Sequence, residues 1–421
     1  MINSYIERII EKEIRETMEA VGCVVIEGPK ACGKSTTAQV FSKTIVELQQ
    51  PKEFQIMQLL ISNGGDIFNK EKPILFDEWQ KIPELWDMIR ADVDHTNGKG
   101  DYILTGSAKP IEDNARHSGV GRFGIITMRP MSLFESSDSS GSVSLKQLFE
   151  RTNKIEGEST VSLNKIAELI CRGGWPGSLS LDSTGSQKYI SSYYKLLTEI
   201  DLNGVDGIKR NPERARRILM SLARNISSFA TDKTIINDVK SNDSTLDEKT
   251  LSSYLNALRK LFVIEDQPAW SPKLRSKTTF RTSAKRQFVD PSIAVAALGA
   301  SSQDLIEDPE TFGLLFESLC IRDLRIYASA LDGTVYQYHD RNELEADAII
   351  HLPNGDYGIV EIKLGQHKVD EASKNLIKLK NKIDTEQMKE PKFLMVLTGY
   401  GIAYKRKEDG IYVVPITCLK P

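Results

Sequence analysis

Gly28-Pro29-Lys30-Ala31-Cys32-Gly33-Lys34-Ser35 is a complete G-x-x-x-x-G-K-S stretch, and its flanks decide what it means. Before it, Cys23-Val24-Val25-Ile26-Glu27 reads as a buried strand; after it, Thr36 through Val40, Phe41, Ile45 and Val46 reads as a helix. Strand, glycine-rich turn and helix N-terminus together make a phosphate cradle. The glycines let successive backbone N–H groups point at phosphate oxygens, Lys34 brings a point charge to the terminal phosphates, and the Ser35 hydroxyl can ligate Mg2+. The whole run from Gly28 to Thr36 is therefore expected to bind nucleotide.

Working outward, such a loop needs an acidic partner. Pro73-Ile74-Leu75-Phe76-Asp77-Glu78 supplies one at the end of an apolar strand, with Asp77 placed to hold Mg2+ directly or through water and Glu78 to polarise the attacking water. A third strand, Asp101 to Ser107, ends in hydroxyl residues, so Ser107 is either a phosphate sensor or part of a plain strand-turn. In Arg116-His117-Ser118-Gly119-Val120-Gly121-Arg122-Phe123, Arg122 precedes another strand, Gly124 to Met128. It is a candidate finger toward a neighbouring site, set against the reading of a solvated loop arginine.

With 421 residues the chain has room for two to four cores, and 40% hydrophobic with 27% charged residues at net charge −3 is an ordinary globular balance. Global charge names no partner. There is no apolar run long enough for a membrane and no signal-like N-terminus, so a cytoplasmic location is the expectation. The five cysteines, Cys23, Cys32, Cys171, Cys320 and Cys418, form no C-x-x-C pair and are read as reduced and buried. The five histidines form no H-x-x-x-H pair.

Ser136 to Ser144 is poor in apolar residues and reads as a flexible segment closing the first domain. A helix around Ile166, Leu169 and Ile170 breaks at Arg172-Gly173-Gly174-Trp175-Pro176-Gly177. From Glu213 the pattern is three helices, the third opened by a Thr245-Leu246-Asp247-Glu248 capping box, and then a strand, Phe262 to Glu265: a winged helix-turn-helix. Gln267 to Arg286 adds Lys273, Arg275, Lys277, Arg281, Lys285 and Arg286 without an acid, together with Trp270 and Phe280. This is a basic wing suited to DNA phosphates, or alternatively a solvated loop of a protein-docking module.

Near the C-terminus, Glu345-Ala346-Asp347-Ala348 and Ile359-Val360-Glu361-Ile362-Lys363 have the D…E-x-K spacing of restriction-endonuclease-like folds. Asp347 and Glu361 would share a divalent metal, Lys363 would orient and help deprotonate water, and Glu317, an acid within an apolar helix, would be a further metal-site residue. The intervening turn is decisive. A two-residue Asn354-Gly355 turn would pair Asp347 with Ile362 and split the site across two faces, so a three-residue loop or a bulge is expected. Asn381-Lys382-Ile383-Asp384 matches the guanine-reading N-K-x-D pattern but lies in a charged helix, which leaves ATP as the expected nucleotide.

Val24 to Lys30, Phe76-Asp77-Glu78-Trp79-Gln80-Lys81-Ile82-Pro83, Leu104-Thr105-Gly106-Ser107, and Gly121-Arg122 followed by Pro130-Met131-Ser132-Leu133-Phe134-Glu135 resemble prokaryotic AAA-type ATPases with a C-terminal domain of unknown function, DUF4143. The resemblance spans nearly the whole chain. Lys30 stands where that family usually has arginine. The resemblance implies an ATPase that retains the C-terminal acids and lysine, and so a nuclease-like fold more than cleavage. The expected fold class is α/β: a P-loop NTPase domain of AAA type over 1–135, a linker and helical lid over 136–210, a winged helix-turn-helix over 211–295, and an α/β restriction-endonuclease-like PD-(D/E)xK domain over 300–421. Two readings follow: an ATPase coupled to a metal-dependent nuclease acting on DNA, or an ATP-driven switch whose nuclease-like domain is silent and holds nucleic acid or protein. A homo-oligomer would let Arg122 act in trans.

Overall fold

The computed structural model describes residues 5–107, 118–151, 155–241, 243–271, 283–383 and 388–421. They form two compact units. One runs to Pro130 and takes in Asn203–Ile208 and Lys260–Phe262; the other comprises Met131–Leu202, Lys209–Arg259 and Val263–Pro421. Most of the three later domains expected from sequence lies in the second unit, together with Met131 to Glu135, while Asn203–Ile208 and Lys260–Phe262 fall in the first.

The first unit is built on a parallel sheet of β1 (Cys23–Glu27), β2 (Thr44–Glu47), β3 (Ile74–Asp77), β4 (Tyr102–Gly106) and β5 (Phe123–Thr127), in the order β2-β3-β4-β1-β5. Its inner strands are buried along their length, which is why they read as continuous apolar runs. Parallel register lines up their C-terminal ends: Glu27 pairs with Gly106, and Asp77 with Thr105. With strands spaced about 4.8 Å apart, the phosphate loop after β1 and the acids ending β3 lie roughly 10 Å apart across β4. The helix after the loop is shorter than its apolar spacing suggests, ending at Val40. Thr44-Ile45-Val46 instead forms β2, because this β-branched run pairs in parallel with Ile74-Leu75-Phe76.

The second unit contains β6 (Val143–Ser144), β7 (Gly157–Ser159), β8 (Thr334–His339), β9 (Glu345–His351), β10 (Tyr357–Lys363), β11 (Phe393–Thr398), β12 (Gly401–Lys405), β13 (Tyr412–Pro415) and β14 (Leu419–Lys420). Seven of these make a mixed sheet ordered β7-β12-β13-β11-β10-β9-β8, and β6 pairs with β14. Ser136 to Ser144 is therefore not a free linker. Ser139 Oγ donates to the Leu419 carbonyl at 2.7 Å, the Ser140 N–H to Thr417 at 2.8 Å, and Ser144 Oγ to Pro421 at 2.7 Å. Serine-rich composition hid this pairing because backbone and hydroxyl bonds carry it, with no apolar pattern needed.

The winged-helix region contains helices Pro212–Arg224, Asp232–Lys240 and Glu248–Lys260. The third is capped by Asp247, whose carboxylate accepts from the Thr250 N–H at 2.7 Å, while Thr245 turns away to donate to Asp243; the expected capping box is absent. In place of a strand at 262–265 there are isolated bridges, Ile264 with Phe288 and Gln267 with Lys285. The first arm of this hairpin also joins the edge strand β8, through Trp270 N–H to Gln337 O at 2.7 Å and Gln337 N–H to Pro268 O at 2.9 Å.

A buried ionic knot ties this unit together. Arg322, within the helix Pro309–Ser329, donates to Asp290 at 2.8 Å and to Asp323 at 2.7 and 2.9 Å, all three side chains being buried. Asp290 also accepts the Gly174 N–H at 2.9 Å and caps the helix Pro291–Leu298 through Ser292, whose hydroxyl receives Trp175 Nε1 at 2.9 Å. Asp323 accepts the Leu133 N–H at 2.9 Å. The glycine-rich Gly173-Gly174-Trp175 turn and the Met131 to Phe134 segment are thus held by one guanidinium. Removing one partner of a buried pair leaves an uncompensated charge, so Arg322→Ala should lower unfolding free energy by about 3–5 kcal/mol, read as a reduced midpoint in urea denaturation.

Candidate functional site: the phosphate loop and the carboxylate cluster

The loop after β1 has the backbone of a phosphate cradle. Gly28 has φ +151° and Gly33 +104°, and a Cβ at Gly28 would lie 2.1 Å from the Met128 carbonyl oxygen. Pro29 and Cys32 are buried, the latter with its thiol directed at Met128 O, while Lys30, Ala31 and Thr36 are exposed. Lys34 is buried and folds back, its ammonium donating to Gly28 O at 2.9 Å and Pro29 O at 2.7 Å. Across the sheet, Ser35 Oγ donates to Asp77 Oδ1 at 2.7 Å, and Thr105 donates to the same oxygen. Ser35 and Asp77 are therefore already together where a cation bridging phosphate and protein would sit.

Glu78 follows in the left-handed region, φ +57°, and Gln80 and Ser107 both donate to its carboxylate, Ser107 at 3.2 Å. Ser107 thus meets the acid. Arg122 is not brought to the loop. It precedes β5 at the opposite, N-terminal edge of the sheet, where its carbonyl accepts the Cys23 N–H and its guanidinium pairs with Asp94 at 2.6 Å. A five-residue strand, roughly 13 Å of chain, separates that edge from the loop. Arg116 lies outside the described residues.

Arg8 was not legible in the sequence: it lies outside every motif, yet it is buried and donates to Cys32 O at 2.8 Å and Arg129 O at 2.9 Å, bracing the loop from behind.

In the second unit the hairpin turn is a three-residue loop, Pro353-Asn354-Gly355. Leu352 N–H donates to Asp356 O at 2.8 Å, and Gly355 takes φ +83°. Pairing runs from Tyr357–His351 to Val360–Ala348, and one more step sets Asp347 beside Glu361. Asp347, Glu361 and Lys363 thus share a face. Lys363 Nζ lies 2.9 Å from Glu361 and 3.3 Å from Asp347, and Asp347 Oδ2 also accepts the Ile362 N–H at 2.8 Å.

Each carboxylate expected to ligate a metal faces an ammonium group. Lys285, assigned from sequence to the basic wing, is buried with its ammonium 2.6 Å from Glu317 and 3.3 Å from Asp347. Glu317 is accounted for by this lysine, and Glu361 by Lys363 and by Asn375, which donates to it at 2.5 Å. Among the described residues, the His/Cys/Asp/Glu group whose ligand atoms all lie within 4.8 Å of one another is instead His339, Glu343 and Glu345. There the buried imidazole, stacked on Phe229, sits 2.9 Å from Glu343. The ligand atoms of Glu317, Asp347 and Glu361 do not all lie within 4.8 Å of one another.

Electrostatics agrees. Burial works to lower Lys285, but the charges of Glu317 and Asp347 outweigh it and hold the ammonium well above the usual lysine range. Burial pushes Glu317 up to about 7 against the opposing pull of Lys285. Burial would also raise Asp347, yet Lys363 and Lys285 hold it below the usual range. Burial, then the Asp347 charge, push Glu361 up. Two further expected wing groups are engaged as well: Trp270 is buried, and Arg286 pairs with Asp232 and Asp266. Lys273, Arg275, Lys277, Phe280 and Arg281 lie outside the described residues. Of the N-K-x-D run, Lys382 is paired with Asp340 in the helix Val369–Lys382, and Asp384 lies outside the described residues.

The chain matches the AAA domain model over residues 21–137, the domain of unknown function DUF8612 over 163–304, and DUF4143 over 312–419. It is 22% identical over 352 residues to an uncharacterized protein of Mycobacterium tuberculosis, covering 83% of this chain and 72% of that one. An uncharacterized protein of Haemophilus influenzae is 22% identical over 336 residues, covering 80% and 76%. Among solved structures, a Walker-type ATPase of Pyrococcus abyssi is similar at 17% identity and TM-score 0.43, over 70% of this chain and 96% of that one. No helix among the described residues is long and apolar enough to cross a membrane.

Backbone strain of about 1–3 kcal/mol together with the clash at Met128 bears directly on the cradle. Gly28→Ala should weaken binding of a fluorescent ATP analogue by at least about tenfold, the equivalent of about 1.4 kcal/mol, as measured by anisotropy titration.

Proposed function

We propose that this chain, which carries an N-terminal AAA domain of P-loop type and a C-terminal DUF4143 region, hydrolyses ATP with Mg2+ and uses the nucleotide cycle to control a nuclease-like module that does not cut. The Ser35–Asp77 contact at 2.7 Å carries the first half: the hydroxyl at the start of the helix after the loop meets the carboxylate that ends β3, and the two would hold Mg2+. Mg2+, when bound there, supplies charge neutralisation at the phosphates. Lys34 turns from the Gly28 and Pro29 carbonyls to the terminal phosphates, a short rotation of a flexible stem. Glu78, held by Ser107 and Gln80, accepts the proton of the attacking water. Any part played by Arg122 is in trans, at a second copy's nucleotide, since its own loop lies beyond the length of β5. Its exposed pair with Asp94 is worth little and can be given up.

The silent-module half is favoured by the lysines. A centre that cleaves through a divalent cation needs carboxylates free to ligate it, and Glu317, Asp347 and Glu361 each already face an ammonium group. The module's role is then to hold a partner, either nucleic acid or protein.

Glu78→Gln should retain ATP binding and lower turnover by about 10²–10⁴, read as phosphate release, whereas Lys34→Ala should lose binding itself. Arg122→Ala should lower turnover only at protein concentrations where the chain self-associates, as followed by light scattering. Incubation with linear, nicked and single-stranded DNA, with Mg2+ or Mn2+ and with or without ATP, should leave the DNA intact. Cleavage lost in Lys363→Ala would overturn the silent reading and restore the nuclease.

A further inference from the structure

We infer that Lys285 is a built-in cation that takes the place of divalent metal in the C-terminal centre, so that the carboxylates seat the bridged segments 264–267 and 285–288 and bind no metal in the native chain. This rests on the silent reading of the module and specifies its cause.

Several observations meet at this lysine. Its ammonium lies between the two acids that come from separate elements, 2.6 Å from Glu317 on the helix Pro309–Ser329 and 3.3 Å from Asp347 on β9. A metal would have to bridge that same gap. The residue is buried, so water cannot screen the attraction or replace it. Its backbone is fixed on both sides: Lys285 N–H donates to Gln267 O at 3.0 Å, and Lys285 O accepts the Gln267 N–H at 2.8 Å. The Gln267 side chain then donates to the carbonyls of Asp347 at 2.9 Å and Tyr336 at 3.0 Å, carrying these segments onto β9 and β8. Charge also closes. Around the three acids Glu317, Asp347 and Glu361 stand two ammonium groups, Lys285 and Lys363, with an amide donor from Asn375 on the third. A divalent ion added to this arrangement would bring like charges together in a dry setting.

An internal ammonium differs from a metal in a way that can be measured, because it can be removed by substitution. Lys285→Met keeps the stem's volume and deletes the charge, leaving Glu317 and Asp347 facing each other across a gap suited to an oxygen-liganded cation. Mn2+ binding to the nucleotide-free full chain, counted by electron paramagnetic resonance, tests the idea. Wild type should show no Mn2+ that depends on Asp347, so wild type and Asp347→Asn should give superimposable titrations. Lys285→Met should gain one saturable Mn2+ per chain, and the gain should vanish in Lys285→Met with Asp347→Asn. A wild-type Mn2+ site lost in Asp347→Asn overturns the inference, and so does a folded Lys285→Met that gains none. If Lys285→Met does not fold, as judged by circular dichroism, the comparison of wild type with Asp347→Asn still decides. Metal counting is separate from the cleavage assay: DNA cutting by wild type defeats the silent reading, whereas absence of cutting with an Asp347-dependent Mn2+ defeats only the role given to Lys285.

Discussion

A guanidinium sealed from water has to be met by carboxylates, and the second unit is arranged around that requirement at Arg322. Asp290 and Asp323 satisfy it; Asp290 also accepts the Gly174 N–H on the oxygen that faces Arg322 and Ser292 on the other, and the second oxygen of Asp323 accepts the Leu133 N–H. Segments far apart in the chain are thereby committed to one point: the stretch after the first unit, the glycine-rich turn, the start of the helix Pro291–Leu298 and the middle of the helix Pro309–Ser329. Apolar packing would accept many small shifts among these pieces, whereas shared charged hydrogen bonds accept few. The same helix carries Glu317 one and a half turns earlier, so what fixes Arg322 also fixes one wall of the carboxylate cluster.

The two candidate sites are assembled by different kinds of register. In the first unit, parallel pairing brings Glu27, Asp77 and Gly106 to one edge, and the candidate groups Ser35, Asp77 and Glu78 collect there because the strands end there. In the second, antiparallel pairing across a hairpin sets Asp347 against Glu361. Their electrostatic states also differ. Lys34 rests on carbonyl oxygens that a phosphate can outbid, so the loop is poised for an anion. Buried Lys285 and partly exposed Lys363 rest on carboxylates, so two of the three negative charges of the cluster are already met by ammonium groups.

The ATPase unit was largely legible in the sequence because its chemistry is local: Gly28 to Ser35 is contiguous, and Asp77-Glu78 closes a single apolar strand. The D…E-x-K pattern was legible for the same reason, and with it the need for a three-residue turn. What escaped were contacts made at a distance. Lys285 looked like one more cation in an acid-free stretch, and only tertiary pairing shows it buried against Glu317. Arg8 had no motif around it. Ser136 to Ser144 looked unstructured because serine hydroxyls and backbone groups, which leave no periodic trace, zip it to the C-terminal strand. Thr44-Ile45-Val46 fitted helical spacing as well as a strand, and the neighbouring β3 settled the choice.

The Pro353-Asn354-Gly355 loop has a consequence for how such chains can vary. Side chains alternate along a strand, so changing this loop by a single residue would exchange the inward and outward sets of β10 against β9, carrying Glu361 and Lys363 to the opposite side from Asp347. A change of two residues would restore them. The cluster is therefore sensitive to the parity of an exposed loop and indifferent to its length. Insertions and deletions in related chains should be tolerated there in even steps, or in odd ones accompanied by a bulge elsewhere in the hairpin.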